Sequence, residues 1–215
     1  MAAVTLSIDF VSDVVCPWCV IGLLGLERAV AAGGDAFAAE IRLQPFELNP
    51  DMPAGGQDMR EHVLEKYGAV PAGAGERIRT MAARLGFDMP QREGGRIYNT
   101  FDAHRLLHWA ADSGRQIALQ HALFAAYFQQ GRDPGDRSVL VEAAGAAGLD
   151  PAAARQVIES GEGAEAVRAA EAQWRDEGIA SVPTVIVDDR YLIQGAQEPE
   201  VYERALRRIA AERTA

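Results

Sequence analysis

Residues 4–24 read VTLSIDFVSDVVCPWCVIGLL and pass from the period of a strand to that of a helix. Val4, Leu6, Ile8 and Phe10 alternate with other residues over 4–11, the period of a β-strand. Ser12-Asp13 interrupts the pattern, and Cys16-Pro17-Trp18-Cys19 follows. Pro17 suits the first turn of a helix, where its missing N–H has no intrahelical acceptor to lose. Apolar residues continue through Val20, Leu23, Leu24, Leu26 and Val30 until Gly33-Gly34 stops the helix. A second strand is predicted over 40–46, ended by Asn49-Pro50-Asp51-Met52-Pro53. The opening is strand, CxxC, helix, strand.

Working outward, the period turns helical from about Asp58 to Gly178. Strong helices are predicted over 101–111, 117–130 and 139–147, with Ser138 as N-cap of the last and Gly131 and Gly148 as stops. Shorter ones are predicted over 60–67, 75–85, 152–160 and 164–177, with a Pro/Gly/Ala loop over 70–75. The chain then returns to strands at 184–187 and 191–193, joined by an Asp188-Asp189 hairpin turn, and ends in a helix from about Glu198-Pro199 to Ala211. This layout predicts an α/β fold in which residues 1–57 and 165–215 form one discontinuous domain. Residues 58–164 form an inserted, all-helical domain.

Composition narrows the function. The 215 residues are 48% hydrophobic and 24% charged, as in ordinary globular proteins, and no apolar run approaches a membrane span. A formal net charge of −10 repels nucleic acid and anionic lipid, so neither is expected as a partner. The first residues, MAAVTLSIDF, lack a basic n-region and are interrupted by Asp9, which gives cytoplasmic localisation as the expectation.

The two cysteines stand three positions apart. A disulfide closing so short a loop contributes only about 2 kcal/mol by chain entropy, so a cytosolic CxxC points to redox chemistry or metal binding rather than to stapling. Cys16 falls where the strand meets the helix N-terminus, whose unpaired N–H groups and dipole favour a thiolate. Cys19 lies one turn inside, on the same face, placed to attack a mixed disulfide formed at Cys16. Cys16 is therefore the expected nucleophile and Cys19 the resolving thiol. Val182-Pro183-Thr184, just before a late strand, is the second informative site, because Pro is tolerated there and not within a central strand.

CPWC after the first strand, SVPTVIV and the closing YLIQGAQEPEVYERAL resemble the DsbA-like thioredoxin superfamily, nearest its cytoplasmic FrnE-like branch. LQPFELNPDMP, YNTFDAHRLLHWA and QQGRDPGDRSVLVEAAGAAGLD are similar to the same branch, so the resemblance runs from about Leu6 to Ala211. It implies a thioredoxin fold with a helical insertion and a thiol–disulfide oxidoreductase working through a redox-active Cys16–Cys19 disulfide. Pro183 would be a cis-proline facing Cys16, and the Val182 backbone would pair with an extended substrate or with glutathione as co-substrate. Pro17 and Trp18 would support the site, Trp18 tuning the potential and shaping its rim. Asn49, His104 and Arg105 align with positions that lie near the thiol or ligand in related branches. Related 2-hydroxychromene-2-carboxylate isomerases and kappa-class glutathione transferases carry serine at the first cysteine position; this chain keeps Cys16.

Other constellations are weaker. His104 and His108, four apart on one predicted helix, would complete a Cys2His2 set, but the spacing from Cys19 is far from that of a zinc finger, and no metal or bound cofactor is expected. His104 is read either as a core histidine or as a neighbour of the active site. His108 is expected to pack beside Trp109, His62 and His121 to lie on the surface, and Arg105 to pair with Asp102. Asp133, Asp136, Asp188 and Asp189 sit in turn contexts and are assigned no catalysis. Gly55-Gly56 and Gly94-Gly95 lack the strand-to-helix setting of a phosphate loop. Thiol or disulfide substrates, protein or small molecule, are the expected partners, with a homodimer left open. Two alternatives stand beside the oxidoreductase: a glutathione-dependent isomerase or transferase of aromatic or polyketide metabolites, and a non-catalytic, chaperone-like binding module.

Overall fold

The computed structural model describes residues 4–69, 72–92 and 94–214. Strand β1 (Val4–Ser12) runs into helix α1 (Pro17–Gly33), and β2 (Phe37–Pro45) returns parallel to β1 with Val4 opposite Phe37 and Ser12 opposite Pro45. A parallel return needs a crossover, and α1 supplies it. A short strand β3 (Gln57–Asp58) leads into α2 (Met59–Tyr67) and α3 (Ala74–Arg84). After β4 (Arg96–Ile97) come α4 (Phe101–Ala110), α5 (Gln116–Phe124), α6 (Arg137–Ala146), α7 (Pro151–Ser160) and α8 (Ala164–Asp176). Strands β5 (Thr184–Val187) and β6 (Tyr191–Gln194) then complete the sheet, and α9 (Pro199–Thr214) closes the described chain. The sheet order is β2-β1-β5-β6, with β1–β5 and β5–β6 antiparallel. This is the thioredoxin arrangement, with a run of helices between its two halves.

β1 is central, and its period of two serves two cores at once. Leu6, Ile8 and Phe10 enter the main cluster, whereas Val11 joins Phe46, Trp174 and Ile179 in a smaller one. The main cluster includes Leu106, Leu119, Leu123 and Val157 from the helical run as well as the sheet residues, so the two parts share one core. α9 packs on α1 and β1, while α4, α5 and α8 lie against β2. No helix among the described residues is long and apolar enough to cross a membrane.

Several expectations are corrected. Asp136, not Ser138, caps α6, its carboxylate accepting the backbone N–H groups of Ser138 and Val139 at 2.8 and 3.1 Å. The helix predicted over 117–130 ends its regular turns at Phe124 and continues as a π turn over Ala125–Gln129. β3 and β4 form an antiparallel pair, with Asp58 and all of β4 inside the 58–164 stretch expected to be all-helical. Strand β2 begins at Phe37, earlier than predicted. Asp188 and Asp189 both have φ of 53°, the geometry of a tight hairpin turn. Of the loop expected over 70–75, Val70 and Pro71 lie outside the described residues.

Candidate active site

The site is built where β1 ends. Cys16 is the N-cap of α1 with extended backbone, and Pro17 opens the helix. The Cys16 N–H donates to the Asp13 carbonyl at 3.1 Å, and the Cys19 N–H donates to the Cys16 carbonyl at 3.0 Å. That turn brings both sulfurs to one side of the helix start. Both cysteines are free thiols, Cys16 at 3% exposure and Cys19 at 0%, while Trp18 between them is 39% exposed. Burial, reinforced by the adjacent Cys16, pushes the Cys19 thiol well above its ordinary range. The two thiols are thereby distinguished: Cys19 resists ionisation where it sits.

The loop before β5 covers the pair. The Val182–Pro183 peptide is cis, and the Cys16 thiol donates to the Val182 carbonyl at 3.6 Å. Three hydrogen bonds fix this loop: Gly195 N–H to the Pro183 carbonyl at 2.8 Å, Thr184 Oγ1 to the Ser181 carbonyl at 2.9 Å, and Gln194 Nε2 to Ser181 Oγ at 2.9 Å. Gly22 in α1 lets Pro183 approach. A Cβ there would lie 2.8 Å from Pro183 Cγ.

Behind the cysteines lies Asp13, fully buried. Its Oδ2 accepts the Leu48 N–H at 2.7 Å, and its Oδ1 lies 3.5 Å from His104 Nε2. His104 thus joins the site from α4 at 2% exposure. Asn49 is one residue beyond Leu48, and its Oδ1 accepts Lys66 Nζ at 2.7 Å and faces His62 Nε2 at 3.0 Å. His62 is therefore half-buried in a polar network rather than a plain surface residue, with its Nδ1 2.8 Å from Gln57 Oε1. Arg105 turns elsewhere. Its guanidinium pairs with Asp102 at 2.6 Å, as expected, and donates to the carbonyls of Glu162 and Val157 at 2.9 and 2.5 Å, bracing the end of α7. His108 is exposed rather than packed in the core. Among the described residues no group of three or more His, Cys, Asp or Glu is arranged to hold a metal.

One cluster beside the site has no counterpart in the sequence reading. The side chains of Glu47 and Glu171 are buried and share Arg168, which pairs with Glu47 and lies 3.0 Å from Glu171. Glu171 Oε1 also accepts the Glu47 N–H at 2.9 Å, and Arg175 Nη2 donates to the Glu47 carbonyl at 3.3 Å. Burial and then the nearby Glu171 raise the Glu47 carboxyl, with Arg168 pulling the other way. This cluster grips the loop between Phe46, whose N–H bonds the Ser12 carbonyl, and Leu48, which bonds Asp13. Arg168, Glu171 and Arg175 at helical spacing on α8 were the available signal.

Residues 7–207 match the model of the DSBA-like thioredoxin domain. The chain is 34% identical to a probable DsbA oxidoreductase from Streptomyces coelicolor, covering 98% of this chain and 92% of that one with a TM-score of 0.87. It is 29% identical over 203 residues to YwbO of Bacillus subtilis (strain 168), covering 94% of this chain and 96% of the relative. The cytosolic disulfide reductase DsbM from Pseudomonas aeruginosa shares the fold at 20% identity and a TM-score of 0.67, over 97% of this chain and all of that one (100%).

Proposed function

Because the chain belongs to the family of DSBA-like thioredoxin domains, we propose that it is a thiol–disulfide oxidoreductase working through Cys16 and Cys19. The observation that carries this reading is the asymmetric pair. Cys16 stands at the helix N-terminus against the Val182 carbonyl, and Cys19 sits one turn deeper with its thiol pushed up by burial. The outer thiol attacks a substrate disulfide as thiolate, forming a mixed disulfide and releasing one substrate thiolate. Cys19 then loses its proton and attacks Cys16, which releases the second thiolate and leaves the Cys16–Cys19 disulfide. Run backwards, the same steps oxidise a dithiol.

Substrate would lie along the Val182 backbone as an added strand, with Trp18 exposed at the rim. Glutathione is the small thiol proposed as co-substrate, with Asn49 beside its groove and His104 behind it against Asp13. The working place is the cytoplasm, where a dithiol is chemistry rather than scaffold. The test is catalysis of insulin disulfide reduction by dithiothreitol. Wild type accelerates it and Cys16→Ser does not. Full activity in Cys16→Ser would contradict the dithiol mechanism and favour the isomerase or transferase chemistry of serine-bearing relatives.

A further inference from the structure

One buried polar nitrogen beside the dithiol is left over. His104 Nε2 faces Asp13 Oδ1 at 3.5 Å and makes no hydrogen bond to any described residue, although His104 is only 2% exposed. Leaving such a group unmade costs about 1–3 kcal/mol, so a partner other than the protein's own atoms is expected. The His104 ring forms part of the wall of a cavity of about 120 Å³, together with Ser12, His108, Gln116 and Ala170. The Gln116 amide is already engaged with the backbone of Leu43 and Leu107, which leaves His104 as the buried side chain of this wall that carries an unpartnered nitrogen. A single water needs about 10–15 Å³, so the cavity has room for several.

We propose that this cavity holds water and that His104 passes protons between that water and Asp13, making it the proton outlet of the buried dithiol. The inference rests on the thiol–disulfide reading above. In the resolving step the Cys19 sulfur bonds to the Cys16 sulfur, the bond from Cys16 to the substrate sulfur breaks, and the substrate leaves as thiolate. The Cys19 proton must then leave a wholly buried thiol, and Asp13, whose carbonyl accepts the Cys16 N–H at 3.1 Å in the turn that carries both thiols, is among the charges that face it. Asp13 accepts the proton, His104 takes it at Nε2 and gives up the proton on its other ring nitrogen, and cavity water carries that proton away. The other ionisable groups around this path include Glu47 after β2, held by Arg168 and Glu171 of α8, Lys66 of α2 and the Tyr127 phenol, both facing Asp13, and His108 on α4. His104 acts through Asp13 and is a positioning residue.

The experiment follows reduced protein mixed with excess dithio-bis-nitrobenzoate. Attack by Cys16 releases one coloured thiolate, and attack by Cys19 on the resulting mixed disulfide releases a second. His104→Phe is expected to keep the first phase and slow the second on the order of 10–100-fold near neutral pH. The deficit closes as pH rises, because hydroxide then takes the Cys19 proton directly. Ala170→Leu, which fills the cavity and keeps the imidazole, is expected to give the same pattern and decides the matter should His104→Phe not fold. An unchanged second phase in both variants, or a deficit equal at every pH, overturns the proposal. A wild type that never releases the second thiolate refutes the dithiol reading itself.

Discussion

The thiol of Cys16 meets the backbone carbonyl of Val182 at 3.6 Å, across 166 positions of sequence. The sheet makes this contact possible. β1 delivers Cys16 and its antiparallel neighbour β5 begins just after Pro183, with Val11 opposite Thr184. Two strands in register thus place the Cys16 thiol and the Val182 carbonyl at one sheet end. The Cys16 thiol and the Val182 backbone are positioned by the same hydrogen-bond ladder.

The asymmetry of the two thiols predicts a trapped intermediate. Cys19→Ser leaves Cys16 able to attack and nothing to resolve the product, so a covalent mixed disulfide with substrate accumulates. Intact-mass measurement after incubation with glutathione disulfide should show one added glutathione on Cys19→Ser and none on Cys16→Ser. Alkylation of the reduced wild type should modify Cys16 first, because burial holds the Cys19 thiol above its ordinary range.

Gly22→Ala tests the approach of Pro183 to α1. Alanine favours a helix interior over glycine by about 1 kcal/mol. Its Cβ, however, would lie 2.8 Å from Pro183 Cγ and 3.4 Å from Phe10 Cζ, and overpacking of that kind costs about 1–3 kcal/mol. The expected outcome is a modest fall in Tm and a larger fall in kcat/KM for disulfide reduction, as Val182 is pushed from Cys16. A rise in Tm with unchanged kcat/KM would show that the loop yields freely.

Arg168→Ala should be strongly pH-dependent. It leaves Glu47 and Glu171 buried without their shared cation. Removing one partner of a fully buried pair costs about 3–5 kcal/mol, and since Arg168 is 48% exposed the expected loss near neutral pH is about 2 kcal/mol. The folded state holds the Glu47 carboxyl above its ordinary value of 4.5, so the native state binds the extra proton and stability falls as pH rises through that window. Arg168 opposes the shift, so its loss deepens the penalty at neutral pH and the deficit shrinks on acidification towards the ordinary glutamate value. Urea unfolding of both proteins across that range measures it.

Asp189→Gly is expected to stabilise. Asp189 is exposed with φ of 53°, in a left-handed region that costs a side-chain-bearing residue about 1 kcal/mol and glycine almost nothing. Tm should rise with disulfide reductase activity unchanged, and a fall in Tm would mean that the Asp189 side chain contributes to the turn.

Local signals carried much of the fold. The change of period from two to helical across Ser12–Cys19, with Pro17 at its joint, marks β1, the thiol turn and α1, and β5 matches its predicted range at both ends. The Asp188-Asp189 turn was likewise legible, since its chemistry is contained in two residues. Long-range relations were not. Nothing within Gln57–Asp58 marks a strand, because its partner Arg96–Ile97 arrives only through the fold. Nothing near Glu47 in sequence marks it as buried, and its partner Arg168 is supplied 121 positions later. Asp13 shows in the sequence only as a break in the strand pattern, and its place as the hub behind the thiols needs Leu48 and His104 brought from beyond β2 and from α4. Arg105, aligned with a ligand groove by resemblance, is engaged by Asp102 and the end of α7.

The most direct test of the account is the reduction potential of the Cys16–Cys19 couple, measured by equilibrating the protein in glutathione buffers and quantifying the intramolecular disulfide. One two-electron transition is expected, a tenfold change in ratio for about 30 mV, abolished by serine at either cysteine. Absence of an intramolecular disulfide at every poise would contradict it.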